Sequence, residues 1–121
     1  MKPLTEFSPM QCPFHGLLTL LSGSWTSYLL WLLQDNQELR FGELKKYTPG
    51  LSAKVLTERL RKLEEAGLVT RHPEATIPPK VTYRMSERGR ELREPLRHLQ
   101  ELALQWHRLD QARADSPGSP E

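Results

Sequence analysis

The sequence predicts a mostly α-helical domain that carries one small β-hairpin. Three observations point there. Apolar residues recur at helical spacing in five separate stretches of the 121-residue chain. Over residues 68–71 and 81–85 that spacing gives way to short runs rich in β-branched and aromatic side chains. The boundaries fall on turn and capping residues: Ser22-Gly23, Asp35-Asn36, Thr48-Pro49-Gly50, Gly67 and Ser86.

The elements follow in order. Residues 1–10 hold Pro3 and Pro9 without periodicity, so residues 1–11 are expected to be a flexible arm. Residues 16–21 predict a short apolar helix closed by Ser22-Gly23. Ser24 offers its hydroxyl as cap to a second helix, 25–34, which is apolar on nearly every side and is expected at the centre of the core. A third helix, 41–47, turns Phe41 and Leu44 inward. Thr48-Pro49-Gly50 is a turn, because proline presets one backbone angle and glycine tolerates a positive one. Ser52 then caps a fourth helix that runs to residue 66, where Gly67 stops it in the left-handed conformation.

Two strands, 68–71 and 81–85, are joined by a loop containing Pro73, Pro78 and Pro79. Ser86 caps a last long helix, 87–110, kinked near its first turns by Pro95, which lacks a backbone donor. Residues 111–121 contain Ser-Pro-Gly-Ser-Pro and are expected to be disordered. A short helix, a tight turn and a second helix form a helix-turn-helix, and a hairpin directly after it forms a wing. The domain, residues 12–110, is therefore expected to be a winged helix-turn-helix with N- and C-terminal helices left over for dimerisation.

The net charge of +2 conceals an uneven distribution. Residues 40–97 hold 14 Lys or Arg against 8 Asp or Glu, whereas the rest hold 3 against 7. A basic middle between acidic flanks is an electrostatic footprint for a polyanion, although a solvated surface has the same look. The single Cys12 excludes an intramolecular disulfide and fits a reducing compartment. The N-terminus lacks a charged start followed by a long apolar run. The richest apolar run, 28–33, is far shorter than the roughly 20 residues needed to span a bilayer. The expected location is the cytoplasm, at the nucleoid.

Catalysis is not expected. There is no Gly-rich phosphate loop and no nucleophile–base pairing. Cys12 with His15 supplies only two metal ligands, and His72, His98 and His107 add no matching cluster. No cofactor is expected.

Several segments, taken in order, carry a resemblance. They are Cys12-Pro13, Gly23-Ser24-Trp25, Arg40-Phe41-Gly42-Glu43-Leu44 and Pro49-Gly50-Leu51-Ser52. Further on come Leu56-Thr57-Glu58-Arg59-Leu60, residues 63–69, residues 78–83 and Ser86-Glu87-Arg88-Gly89. Over residues 12–109 the chain resembles the HxlR-type transcriptional regulators, a winged-helix family related to the MarR group. Two positions depart from it: Ser24 and Thr82 stand where the family usually has lysine and glutamate. The resemblance implies a DNA-binding regulator, by default a repressor. It also implies that Cys12, near the N-terminus, is a candidate redox or electrophile sensor. A structural, half-buried thiol is the alternative there.

On the fourth helix, Leu56, Leu60 and Leu63 share the core face, so Lys54, Thr57, Glu58 and Arg61 fall on the opposite half. Facing a major groove, Lys54 and Arg61 donate to guanine edges or phosphates, and Thr57 meets a thymine methyl or a phosphate. Glu58 accepts from cytosine, or else repels phosphates and restricts docking. Ser52 heads the same helix and is grouped with them. Arg40 before the third helix is expected to hold a phosphate; Lys45 and Lys46 on it are candidate phosphate contacts, with simple solvation as the alternative. Lys80 in the wing is expected to reach phosphate or the minor groove.

Leu92, Leu96, Leu99, Leu102, Trp106 and Leu109 form one stripe at near-heptad spacing on the last helix. Two copies burying this stripe make a homodimer, which prefers an inverted-repeat operator in double-stranded DNA. Packing of part of the stripe against the domain's own first helix is the alternative. The rival function is a winged-helix module that binds protein and not DNA. A small-molecule effector pocket is left open, with no residue to mark it.

Overall fold

The computed structural model describes residues 12–23 and 25–115. The chain divides after Arg90 into two units, and each is described by itself. The first contains α1 (Pro13–Leu21), α2 (Thr26–Asp35), β1 (Leu39–Arg40), α3 (Phe41–Tyr47) and α4 (Ala53–Glu65). It continues with β2 (Val69–Glu74), β3 (Lys80–Met85) and α5 (Glu87–Arg90). The second holds α6 (Arg93–Asp115). Among the described residues no single helix is long and apolar enough to cross a membrane. The mostly helical class with a small antiparallel sheet, a winged helix-turn-helix, is the observed fold.

α2, α3 and α4 supply the core. Leu29, Leu30, Leu44, Leu56 and Leu63 are fully buried, with Leu33 and Leu60 nearly so. Each such side chain contributes about 1.5–3 kcal/mol by leaving water. The sheet closes one side of this core with Leu39, Val69, Tyr83 and Met85. Its strand order is β1-β3-β2, antiparallel throughout, with Leu39 opposite Tyr83 and Arg71 opposite Tyr83 on the other side.

The helix-turn-helix turn is fastened by two polar contacts. Thr48, fully buried, donates its hydroxyl to the Leu44 carbonyl at 2.8 Å, and the Leu51 amide donates to the Thr48 carbonyl at 3.0 Å. Gly50 does not need a positive φ, contrary to expectation; among the described glycines only Gly67 has one, at 79°. What Gly50 provides is space, since a Cβ there would lie 2.9 Å from Cζ2 of Trp25. Ser52 caps α4 as expected, its hydroxyl accepting from the Val55 amide at 3.1 Å.

Several boundaries differ from the sequence reading. α1 starts at Pro13, not at residue 16, because proline is favoured in a helix's first turn, where its missing amide costs nothing. α2 starts at Thr26, preceded by Trp25 in the left-handed conformation with φ 64°; Ser24, expected as its cap, lies outside the described residues. α2 is also less enclosed than expected. Leu29, Leu30 and Leu33 are buried, but Trp25 and Tyr28 are exposed and packed edge to face with centroids 5.5 Å apart. Phe41 is only partly buried.

The wing is longer than two four- or five-residue strands. β2 continues through Pro73 to Glu74, which a proline permits because β2 is an edge strand. β1 was not anticipated. Two residues are too few for an alternation, and their pairing with β3 exists only in the folded chain.

The single long helix expected from residue 87 is two helices. Pro95 has no amide to donate to the Glu91 carbonyl, and the chain breaks at residues 91–92 between α5 and α6. Pro95 then occupies the first turn of α6, where no such bond is required. Ser86 caps the short α5, its hydroxyl accepting from the Gly89 amide at 3.0 Å. At the far end α6 runs to Asp115, past the residue 110 expected, since residues 111–115 include Ala112 and Ala114 and no glycine or proline. The rest of the expected tail and the N-terminal arm lie outside the described residues.

Candidate nucleic-acid interface

α4 lays Leu56, Leu60 and Leu63 into the core, so geometry leaves its opposite half to solvent. Lys54, Thr57, Glu58 and Arg61 are all exposed there, and Ser52 is exposed at the helix's head. Thr57 donates its hydroxyl to the Ala53 carbonyl at 2.8 Å, which commits that hydrogen. What Thr57 offers outward is a methyl group and oxygen lone pairs, not a donor.

On one flank of α4 lies an open groove of about 630 Å³. Its walls come from the start of α3, from Thr57 and from the wing, and they bring Arg40, Lys46, Arg71 and Lys80 together. The local chain makes this arrangement. Glu43 accepts the Arg40 amide at 3.0 Å and so caps α3, leaving the Arg40 guanidinium outward. Arg71 sits on β2 in register with Tyr83, whose ring forms part of the groove floor. Lys80 opens β3 opposite Glu74.

Among the described residues, Arg40, Lys45, Lys46, Lys54, Arg61, Arg71 and Lys80 make no salt bridge. Four of these unpaired cations, Arg40, Lys46, Arg71 and Lys80, line one concave wall, which is what a phosphate backbone requires. Lys45 is half-buried and does not line the groove, whereas its neighbour Lys46 does. Arg71 was missed by the sequence reading. No alternation marked it, since Thr70 and Arg71 are both exposed after buried Val69, and only the register with β3 puts it beside Arg40 and Lys80. The wing tip carries Ile77, fully exposed, with the Thr76 hydroxyl tied to the Pro78 carbonyl at 2.9 Å.

The remaining site residues lie elsewhere. Cys12 is half-buried at the head of α1. On α6, Leu99, Leu102, Trp106 and Leu109 are 38–59% exposed, and Leu92 and Leu96 are half-buried. Leu104 is also exposed, but lies off the face that the stripe defines.

A helix-turn-helix with a wing, and an exposed second helix beside a cationic groove, defines the class of DNA-binding transcription regulators. The description HxlR-like helix-turn-helix matches residues 20–111, and the chain belongs to that family. The HTH-type transcriptional regulator YdeP of Bacillus subtilis is 34% identical over 104 residues, 85% of this chain and 80% of YdeP. Among solved structures, the transcriptional regulator YodB from B. subtilis in its reduced form is 33% identical. It has a TM-score of 0.67 and covers 78% of this chain and 92% of its own. The redox regulator HypR in its reduced form is 29% identical with a TM-score of 0.75, covering 83% of this chain and 98% of its own.

Proposed function

We propose that the protein is a homodimeric, sequence-specific repressor that reads an inverted repeat in duplex DNA. The observation that carries this reading is the cationic groove beside the exposed half of α4. In it α4 enters the major groove, where Lys54 and Arg61 meet guanine edges or phosphates and the Thr57 methyl meets a thymine. Glu58 accepts from cytosine. Arg40, Lys45, Lys46 and Arg71 neutralise backbone phosphates, and Ser52 stands at the head of the helix. Lys80 and Ile77 carry the wing toward the minor groove, where an apolar tip can press against sugars or base edges.

The dimer is formed by the apolar surfaces that each unit exposes. α1 exposes Phe14, Leu17 and Leu18, and α6 exposes Leu99, Leu102, Trp106 and Leu109 of a stripe that the half-buried Leu92 and Leu96 begin; exposed apolar surface of this kind marks an interaction site. Twofold symmetry then sets the two recognition helices about one DNA turn, roughly 34 Å, apart. Cys12 is the proposed signal input. It stands half-buried at the head of α1. With one cysteine per chain, the modified form is an alkylated thiol, a mixed disulfide with a small thiol, or a Cys12–Cys12 bond between subunits.

The test is a fluorescence-anisotropy titration against duplex from the region upstream of its own coding sequence, beside a scrambled duplex. Tight binding to the native duplex alone, with a log–log salt slope near −7 for the roughly eight phosphates that these cations neutralise in a dimer, supports the reading. Absence of binding to any duplex at low salt sinks it and favours a protein-binding module.

A further inference from the structure

On the other flank of α4, away from the wing, a second hollow of about 280 Å³ lies between α1, the α1–α2 turn and α4. Gly16, Thr19 and Gly23 shape it, and Thr26, Arg59 and Lys62 supply its polar groups. Nε of Arg59 is buried and has no hydrogen-bond partner among the described residues. Thr26 is only 2% exposed. A Cβ built on Gly23 would lie 2.7 Å from Oγ1 of Thr26 and 3.5 Å from both Nε and Cζ of Arg59. The absent side chain at Gly23 therefore keeps open the space that these two groups border. Among the described residues no carboxylate lines the hollow and Lys62 makes no salt bridge.

A charged donor that is buried without an acceptor is a standing cost to the fold, and native structures seldom tolerate one that nothing ever satisfies. A guanidinium-bearing and an ammonium-bearing side chain on the lining of one small hollow suit one charged oxygen group. We propose that this hollow is an oxyanion site, taking one carboxylate or phosphate group. Arg59 Nε, Lys62 Nζ and the Thr26 hydroxyl are its donors. Arg59 and Lys62 ride on α4, and Thr26 opens α2, so an occupant ties the recognition helix to the core. The consequence for DNA rests on the proposed function; the anion binding itself does not. A free small-molecule anion and a backbone phosphate of bound DNA present the same chemistry.

The experiment follows the Arg59 Nε–H resonance in the full-length, isotope-labelled protein, assigned by its loss in Arg59→Lys. Sodium phosphate is titrated at constant ionic strength against sodium chloride, and duplex DNA is added in a separate series. A saturable shift with phosphate and not chloride supports a free-anion site. A shift with duplex alone supports a backbone phosphate as the occupant. Gly23→Ala, which fills the space, and the exposed Lys62→Gln each weaken the response by about tenfold. A resonance that neither phosphate nor duplex moves, or that moves equally in both variants, overturns the proposal. Loss of all DNA binding with an intact phosphate response would instead sink the DNA reading and leave the site standing.

Discussion

Gly89 is where the fold leaves least room for change. It lies buried in α5, and a Cβ there would overlap the Leu68 carbonyl oxygen and come within 2.5 Å of Cε of Met85 and 3.1 Å of the Leu68 carbonyl carbon. An ordinary C–H···O approach is about 3.3 Å, so backbone has to move. The Met85 side chain can turn aside, but the Leu68 carbonyl is held, because it accepts the Ser86 amide at 3.0 Å. Gly89 is held as well: its amide donates to the Ser86 hydroxyl at 3.0 Å, and its carbonyl accepts from Nε2 of Gln34 at 2.8 Å.

Gly89→Ala therefore adds an overpacking cost of about 1–3 kcal/mol. Breaking one or two of these hydrogen bonds costs about 1 kcal/mol each. The expected loss is roughly 2–5 kcal/mol, a large part of the 5–15 kcal/mol typical of a domain. Urea unfolding at one fixed protein concentration measures it, with Gly42→Ala as the internal comparison. Gly42 is helical with nothing within 4 Å of its added Cβ, so that variant is expected to gain about 0.4–1 kcal/mol. A Gly89→Ala protein within about 0.5 kcal/mol of the wild type would refute the reasoning.

Four further outcomes are expected. Arg71→Ala, by removing one phosphate contact per protomer of a dimer, makes the log–log salt slope of DNA binding shallower by about 2 units in anisotropy titrations; an unchanged slope removes Arg71 from the interface. Leu102→Glu puts a charge on the exposed α6 stripe and converts the dimer to monomer at micromolar concentration in sedimentation runs, whereas a persisting dimer moves the interface elsewhere. Cys12→Ser leaves DNA binding insensitive to diamide and quinones; release by either reagent in that variant rules the thiol out. On α6, hydrogen bonding to Arg97 holds the Glu94 carboxyl below its usual value, so the pair stabilises the helix above the ordinary carboxylate pKa and that contribution fades as pH falls through the lowered one. The helicity difference between wild type and Glu94→Gln, seen by circular dichroism, accordingly shrinks toward acid pH.

Local chemistry was sufficient wherever one residue type decides one element. Ser52 and Gly67 bound α4 as their hydroxyl and left-handed tolerance require, and the 41–47 helix is where Phe41 and Leu44 place it. The exposed half of α4 was equally legible, because the three core leucines fix its orientation. The tertiary structure decided the rest. β1 is too short to carry a pattern and exists only because β3 pairs with it. Arg71 joins Arg40 and Lys80 only through strand register, and Gly50 is required by a tryptophan 25 residues earlier. Gly23, Thr26 and Arg59 surround one hollow although they lie on different elements. Spacing along a chain reports what each segment does with its own backbone and its own faces. Which side chains from distant segments share a cavity, and which donor is left there without an acceptor, is set only when those segments pack.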